Sequence, residues 1–290
     1  SSYQIIQNNI DNGTTPLVLP YIEYQGGNNT YKKIDYSNNY NFYNISRSVN
    51  SDIHAKKQIK TGHLIKIKKE SYNYKSKIIL YGNLYNQFYK TEQKKIDGMN
   101  TNSSYYRIFP MTGMKIETPF IERNTNVLFT PSIFFVANSG QSNSNKISNE
   151  ESTNNINTIT NNNKLNRYSG TDKLDNSKRI NFSINIQKNN SSLNLSQNYE
   201  ITKNSNYHKE TGNSKNLSNL LINYKYENKL NIINYDITYD PNEDYVKAQY
   251  ISAKHENDLF KIDVRYLDEK NIVGNVVNNS NENINLILGS

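Results

Sequence analysis

The feature that most constrains this chain is an alternation of apolar and polar residues with a period of two. Asn181-Phe182-Ser183-Ile184-Asn185-Ile186-Gln187 alternates without a break, as do Asn234-Tyr235-Asp236-Ile237-Thr238-Tyr239-Asp240 and Lys261-Ile262-Asp263-Val264-Arg265-Tyr266. Tyr224 and Tyr226, Tyr40 and Phe42, and Ile65 and Ile67 follow the same scheme. Successive side chains of a strand point to opposite faces, so such a segment carries one apolar row and one polar row. No comparable stretch repeats with the roughly 3.6-residue period of a helix, and β-branched and aromatic residues fill the apolar rows. The chain is read as all-β.

What the apolar row meets decides the architecture. A soluble β-sandwich uses strands of about 5–6 residues with Leu, Val and Phe inside. Here the patterned segments extend to about 9–11 residues, the length of a membrane-crossing strand. Their apolar row is rich in Tyr and Ile, and their polar row in Asn, Ser, Lys and Asp. An apolar outer band with aromatic girdles around a polar lumen is the design of a transmembrane barrel. It also accounts for the low mean hydropathy of -0.85 and the 34% hydrophobic content, because only alternate residues would face lipid. The predicted fold is an antiparallel up-and-down transmembrane β-barrel, here a partial one of about a dozen strands.

Strands are predicted over 17–25, 31–47, 56–70, 72–90, 104–118, 125–138, 178–190, 192–203, 214–227, 229–240, 244–255 and 258–268, with a weaker one at 283–288. Phe182, Ile184, Ile186, Tyr235, Ile237, Tyr239, Ile262, Val264 and Tyr266 are expected to face outward. Asn181, Asn185, Asp236, Asp263 and Arg265 are expected to face the lumen. Most breaks are short and turn-like, such as Gly26-Gly27-Asn28-Asn29 and Asp240-Pro241-Asn242-Glu243. One is long: residues 139–177 are Asn, Ser, Thr and Lys with few apolar residues. Loops beyond about 12–15 residues are usually functional or disordered, and outer-membrane barrels carry their long loops on the outside.

Several classes are excluded. The chain has no Cys, hence no disulfide framework, thiolate metal site or cysteine nucleophile. Its longest apolar run, Ile133 to Ala137, is far short of the about 20 residues of a helical span. It opens Ser1-Ser2-Tyr3 without a visible targeting segment and reads as a cut through a longer protein. The 53 Asn accompany 28 Lys against 6 Arg, a composition typical of AT-rich coding sequence and silent about function. His54, His63, His208 and His255 are isolated, and no nucleophile elbow, dinucleotide motif or P-loop occurs. Glu150-Glu151 lacks the Asp and Gly spacing of a calcium loop. No enzyme, metal or cofactor is expected.

Charge is uneven. Between His54 and Ile96 stand eleven Lys and two Glu, a net +9 in a chain whose total is +8. Lys66, Lys68, Lys69, Lys75 and Lys77 fall on one predicted hairpin. They are either a solvated strand end or a cationic surface for phosphorylated glycolipid, in the lumen or at headgroup level. Nucleic acid is not expected, since basicity alone would support it.

The long loop carries a specific pattern: Asn149-Glu150-Glu151-Ser152, then Asn161, then Asn166-Arg167-Tyr168-Ser169-Gly170-Thr171-Asp172-Lys173-Leu174-Asp175-Asn176-Ser177-Lys178-Arg179. It resembles the barrel domain of the LptD family, the lipopolysaccharide-assembly or organic-solvent-tolerance proteins, with their P-N-E-D-S, N-L-F and N-R-F-S-G-x-D-R-x-E-x-G-x-R. Asn149, Glu150, Ser152, Asn166, Arg167, Ser169, Gly170, Asp172 and Arg179 are identities at the right spacing; Tyr168, Lys173 and Asp175 are conservative changes. Pro16 to Pro20 with Tyr21 to Tyr24, Ser46-Arg47, Arg107 to Pro110, Thr118-Pro119-Phe120, Thr130-Pro131, Thr211-Gly212 and Ser218-Asn219 resemble further family segments in order. The chain departs from the family where Thr118 replaces Trp, Asn162-Asn163 replace N-L-F residues and Asn219 replaces Asp.

The resemblance implies an outer-membrane translocon that delivers lipopolysaccharide to the outer leaflet, with an LptE-like lipoprotein plug in its lumen and outer-membrane lipids around it. It implies a periplasmic transport bridge reached only through an N-terminal jellyroll that this sequence lacks. Residues 1–290 are then expected to be part of one barrel domain, its first strands upstream of Ser1; Gly289-Ser290 lacks a terminal aromatic, as truncation there would leave it. The loop is expected to turn inward, with Asp172 or Glu150 as planar partners for Arg167 and Arg179. Pro110, Pro119 and Pro131 either loosen strand pairing or end strands. The alternatives are a general porin or uptake barrel, and an Asn-rich surface adhesin, which would need internal repeats that are not found.

Overall fold

The structure, a computed structural model, describes residues 15–289 except 52, 141–143, 153–155, 204, 212–214, 258–259 and 274–275, with backbone alone from residue 271. Gly212 and Ser290 thus lie outside the described residues. The strands are β1 (Leu17–Gln25), β2 (Asn29–Tyr31), β3 (Ile34–Ser46), β4 (Lys57–Asn73), β5 (Ser76–Ile96), β6 (Met99–Glu117), β7 (Phe120–Glu122) and β8 (Val127–Asn138). They continue as β9 (Lys178–Lys188), β10 (Ser191–Glu200), β11 (Leu220–Glu227), β12 (Asn231–Asp240), β13 (Tyr245–Glu256), β14 (Lys261–Val273) and β15 (Val276–Gly289). Two short helices, α1 (Ile159–Asn162) and α2 (Asn206–Thr211), lie in connections.

All 15 strands form one antiparallel sheet in chain order, with β2 and β7 as side branches on β3 and β8. The sheet is an up-and-down meander that does not close on itself, a section of barrel wall. No described helix is long and apolar enough to cross a membrane. The expected strands are present, with shifted ends. Residues 31–47 split at a tight turn, where Lys32 and Lys33 both have positive φ (48° and 65°). The strand expected from 214 starts only at Leu220, and the weak C-terminal one is longer, from Val276. β4, β5 and β6 run 17, 21 and 19 residues, well past the roughly 9–11 needed to cross a bilayer. Asp97 and Gly98 (φ 50° and 79°) close the β5–β6 hairpin in the left-handed geometry that matches strand twist.

The two ends of the sheet differ. At one end β4–β5, β9–β10 and β11–β12 are joined by two or three residues. At the other, residues 47–56, 139–177 and 201–219 form long connections. The two faces differ as well. Phe182, Ile108, Tyr106, Phe135 and Val264 stand exposed on one face, Ile108 at 55% and Phe182 at 49%. The opposite face is polar and buried, with Gln58, Gln87, Arg107, Asn181, Ser196 and Asn198 all below 5% exposed. A soluble protein inverts this arrangement; a lipid-facing wall requires it.

Register carries the expected rows. Asn185, Asn194, Asn223 and Asp236 are cross-strand neighbours on β9 to β12, linked as a ladder of side-chain hydrogen bonds (Asn194 Nδ2 to Asn223 Oδ1 3.2 Å, Asn223 Nδ2 to Asp236 Oδ1 2.7 Å). Asp263 and Arg265 pair on the same inner face, at 2.6 Å. Ile184, Ile186, Tyr235, Ile237, Tyr239, Ile262, Val264 and Tyr266 take the alternate positions with Phe182.

The prolines mark the ends of one seam. β6 pairs with β8 only from Met111 to Glu117, opposite Asn138 to Ser132. Pro110 precedes the first of these pairs, Pro131 follows the last, and Pro119 lies in the bend between β6 and β7. Pro110 and Pro131 coincide with the two ends of the β6–β8 pairing but stay in register on their other side, with Leu84 of β5 and Ile184 of β9, so neither ends its strand.

Candidate functional site

The described residues of 139–177 lie on the polar face of the wall, held first by apolar packing. Leu165 and Leu174 of this loop join Tyr85, Phe109, Met111, Phe134 and Val136 of β5, β6 and β8 in one buried cluster. Gly113 makes room for it: a Cβ there would stand 2.6 Å from Leu165 Cδ2 and 2.8 Å from Phe134 Cε2. Gly170 is equally constrained, its missing Cβ facing the Glu151 carbonyl oxygen at 2.5 Å. A second cluster, Ile156, Tyr168 and Tyr207, joins the loop to the 201–219 connection. That connection adds Glu210, which accepts from Tyr168 Oη (3.2 Å) and Lys173 Nζ (2.8 Å).

Two charged clusters then fix the loop. In the first, Asp172 is fully buried against β3, β4 and β5. Its Oδ1 accepts from Lys60 Nζ (2.8 Å), Tyr43 Oη (3.0 Å) and Tyr89 Oη (3.2 Å). Its Oδ2 accepts the backbone N–H groups of Glu150 (2.8 Å) and Glu151 (3.3 Å), which draws both halves of the loop together. Lys60 also pairs with Glu151 and donates to Thr171 Oγ1 (2.6 Å). Arg107 on β6 donates to the Asp172 carbonyl (2.9 Å) and stacks over Tyr89. Arg47, just past β3, grips Glu150 with both Nη atoms (2.9 and 2.6 Å) and donates to the Ala55 carbonyl.

In the second cluster Arg167 and Arg179, both fully buried, share Asp175. Arg167 meets it with Nε (2.6 Å) and Nη2 (3.1 Å), and Arg179 with Nη1 (3.0 Å). Glu200, closing β10, accepts from Arg167 Nη2 (3.1 Å) and Ser177 Oγ (2.7 Å). Asn166 shapes the turn, accepting the Asp175 N–H (3.0 Å) and donating to the Gly170 and Lys173 carbonyls. Asn149 and Ser152 clasp each other's backbone, Asn149 Nδ2 to Ser152 O at 3.0 Å and Ser152 N–H to Asn149 Oδ1 at 3.1 Å.

Opposite charge outweighs burial at three loop groups, although Arg167 Nη1 and Arg179 Nε keep no hydrogen-bond partner among the described residues. Burial pushes the Glu150 carboxyl up, but hydrogen bonds from Arg47 and Ser148 and the Arg47 charge override it and hold it below its ordinary value. Glu151 is likewise pushed up by burial and drawn lower by Lys60 and Thr171. Burial alone would lower Arg167; Asp175 and then Glu200 outweigh it and leave the guanidinium above its usual value.

Several expectations are corrected. Arg167 and Arg179 take Asp175 as planar partner, not Asp172 or Glu150, which go to Lys60 and Arg47. Glu150 and Glu151 pair with Arg47 and Lys60. His54, read as isolated, lies 3.7 Å from Glu150. The five lysines do not form one surface. Lys66, Lys68 and Lys77 sit on the inner face, Lys69 opposite the exposed Leu80 on the outer face, and Lys75 in the hairpin turn. Lys68 and Lys77 both pair with Glu70, and the group lies toward the short-turn end. Lys60, Tyr43, Tyr89, Arg107 and Glu200 were missed, since each reads as an ordinary strand residue. A signal was available for Glu200, the one charged residue closing the Ser- and Asn-rich inner row of β10; Lys60, Tyr89 and Arg107 stand in mixed inner rows that mark none of them out.

No match is found among curated proteins. The family model described as LPS transport system D, LptD, matches residues 1–290, the full sequence. LPS transport thus joins an all-β wall with an apolar outer and a polar inner face, and this chain belongs to the LptD family.

Proposed function

We propose that this chain forms the membrane wall and outer gate of a translocon that inserts lipopolysaccharide into the outer leaflet. The observation that carries the gate is the docking of the described residues of 139–177 on the polar face through two buried charged clusters. A loop held by Lys60, Arg47 and Arg107 on one side and Glu200 on the other crosses the lumen side of the wall near its long-loop end. Sugars need a wet, hydrogen-bonding path, supplied by the Asn185–Asn194–Asn223–Asp236 ladder; acyl chains need the apolar outer face. An LptE-like lipoprotein is the partner in the lumen, and the periplasmic bridge is reached through a jellyroll outside this sequence. Asn149, Glu150, Ser152, Asn166, Arg167, Gly170, Asp172 and Arg179 shape and anchor the gate.

The test is substitution of Arg167 and Asp172, singly and together, in the full-length protein. Entry of large antibiotics should rise and surface lipopolysaccharide should fall. Wild-type behaviour in all three variants would reduce the loop to a tether.

A further inference from the structure

Beneath the docked loop, on its short-turn side, the wall and the loop border an open cavity of about 750 Å³. Its apolar lining comes from Leu64, Tyr81, Tyr85, Phe134 and Leu165, the inner residues on which the loop packs. Three lysines line it, two of them without a carboxylate partner among the described residues. Lys66 on β4 makes no hydrogen bond or ion pair among the described residues, and Lys164 of the loop meets only the Asn161 amide oxygen, at 3.2 Å. Lys68, also in the lining, pairs with Glu70, a carboxylate it shares with Lys77, and the one carboxylate of the lining, Asp35, accepts from Thr30.

An aromatic face beside two uncompensated ammonium groups is complementary to an anion carried on a saccharide. The volume lies within the usual range of a ligand site, about 300–1,000 Å³. A free acyl chain would gain nothing from the lysines, and the exposed face of the wall already offers it apolar surface.

We propose that this cavity binds the phosphorylated saccharide of the transported glycolipid, the phosphate on Lys66 and Lys164 and a sugar face on the partly buried Tyr81. The site rests on the transport reading above and adds a waiting position below the gate. Binding here places the saccharide against Leu165 and Thr171, so that the next movement toward the outer end displaces the loop.

A photo-cross-linking residue at Asn83, which lines the cavity opposite Lys66, tests this in the full-length protein in cells. A second probe at Asn223, on the polar ladder, reports passage elsewhere along the wall. Lipopolysaccharide should cross-link at Asn83, and the double change K66Q/K164Q should cut the yield about tenfold, the loss of one to two charge-assisted contacts. K66R, which keeps the charge, should restore it in the K66Q single variant, and K75Q in the turn should change nothing. Glycolipid lacking saccharide phosphate should behave as the double variant does. Cross-linking at Asn223 but not Asn83, or equal yields with and without the two lysines, would overturn the site and leave the transport reading standing. Cross-linking at neither position would overturn both. Loss of the Asn83 signal to excess inorganic phosphate alone would identify a free-anion site and overturn the glycolipid assignment.

Discussion

Lys60 and Lys68 stand eight residues apart on the same strand and the same face, and they live in different solvents. Lys60 has no exposed side-chain surface and answers to Asp172, Glu151, Thr171 and two tyrosine rings. Lys68 is 42% exposed on its side chain and leans on Glu70 two residues away. Residue type, strand and face are the same; what differs is the loop that covers one and not the other. Removing one member of a buried pair strands its partner in a poor solvent, whereas an exposed pair exchanges its partner for water. The wall therefore has a rigid, charge-locked region under the loop and a compliant one toward the short turns.

The largest effect should come from the locked region. Lys60→Met leaves Asp172 and Glu151 without their cation, a loss of about 3–5 kcal/mol in loop docking. Arg167→Met should approach it, since Asp175 and Glu200 lose their shared partner. The measurement is protease cleavage within 139–177 on intact cells: protected in the parent, cut in both variants, with the strands on either side still resistant. Equal protection in parent and variants would mean that apolar packing alone holds the loop.

Acid should unlock the same region. Glu150 and Glu151 have folded values below their ordinary 4.5. A depressed carboxylate contributes stability that is complete above its unfolded value and is lost as pH falls through the folded one. Protection of the amides across residues 144–152, corrected for the intrinsic pH dependence of exchange, should therefore be flat from neutral pH down to about 5 and fall below about 4.5. A fall beginning near pH 6 would mean that neither carboxylate sets the transition.

A smaller effect separates packing from charge. Gly113→Ala puts a methyl 2.6 Å from Leu165 and 2.8 Å from Phe134, both in the apolar cluster. Overpacking of this kind costs about 1–3 kcal/mol. Gly113→Ala combined with Leu165→Ala should recover part of the loss, and protease protection of the loop is again the readout. No recovery would place the strain in the backbone of β8, whose Phe135 carbonyl is 3.1 Å from the same position.

These regions were unequally legible in the sequence. Strand positions and faces followed from alternation, because with period two a single register decides every side chain at once. Phe182 outward and Asn181 inward needed no tertiary knowledge. The loop was legible as a loop, and its family pattern drew attention to Arg167, Asp172 and Arg179. Their partners were not legible. Tyr43, Lys60 and Tyr89 lie some 80 to 130 residues earlier in the chain, and pairing over such distances leaves no local trace. Asp175 was passed over as a conservative replacement although it is the carboxylate both arginines share. The lysine hairpin failed for another reason: counting charge along a strand ignores that alternate residues leave by opposite faces, so Lys69 parted from Lys66 and Lys68.

The smallest effect is expected in the compliant region and completes the comparison. Lys68 and Lys77 share Glu70 across the β4–β5 hairpin, at contacts of normal ion-pair length for Lys77 (2.9 Å). Both strands continue far beyond this point, with register pairs from Asn73 and Ser76 through Lys57 and Glu92, so the hairpin does not depend on the charges. Exposed pairs contribute below about 1 kcal/mol and are screened by salt. Lys68→Gln with Lys77→Gln should therefore leave both the heat-induced unfolding of the barrel and the protection of the loop unchanged at physiological salt. At low salt Glu70 loses its neighbours and a slight softening of the hairpin should show in hydrogen exchange at residues 70–77. A loss comparable to that of Lys60→Met would mean that the short-turn end is also covered in the assembled protein, and that the contrast between the two lysines belongs to the isolated wall alone.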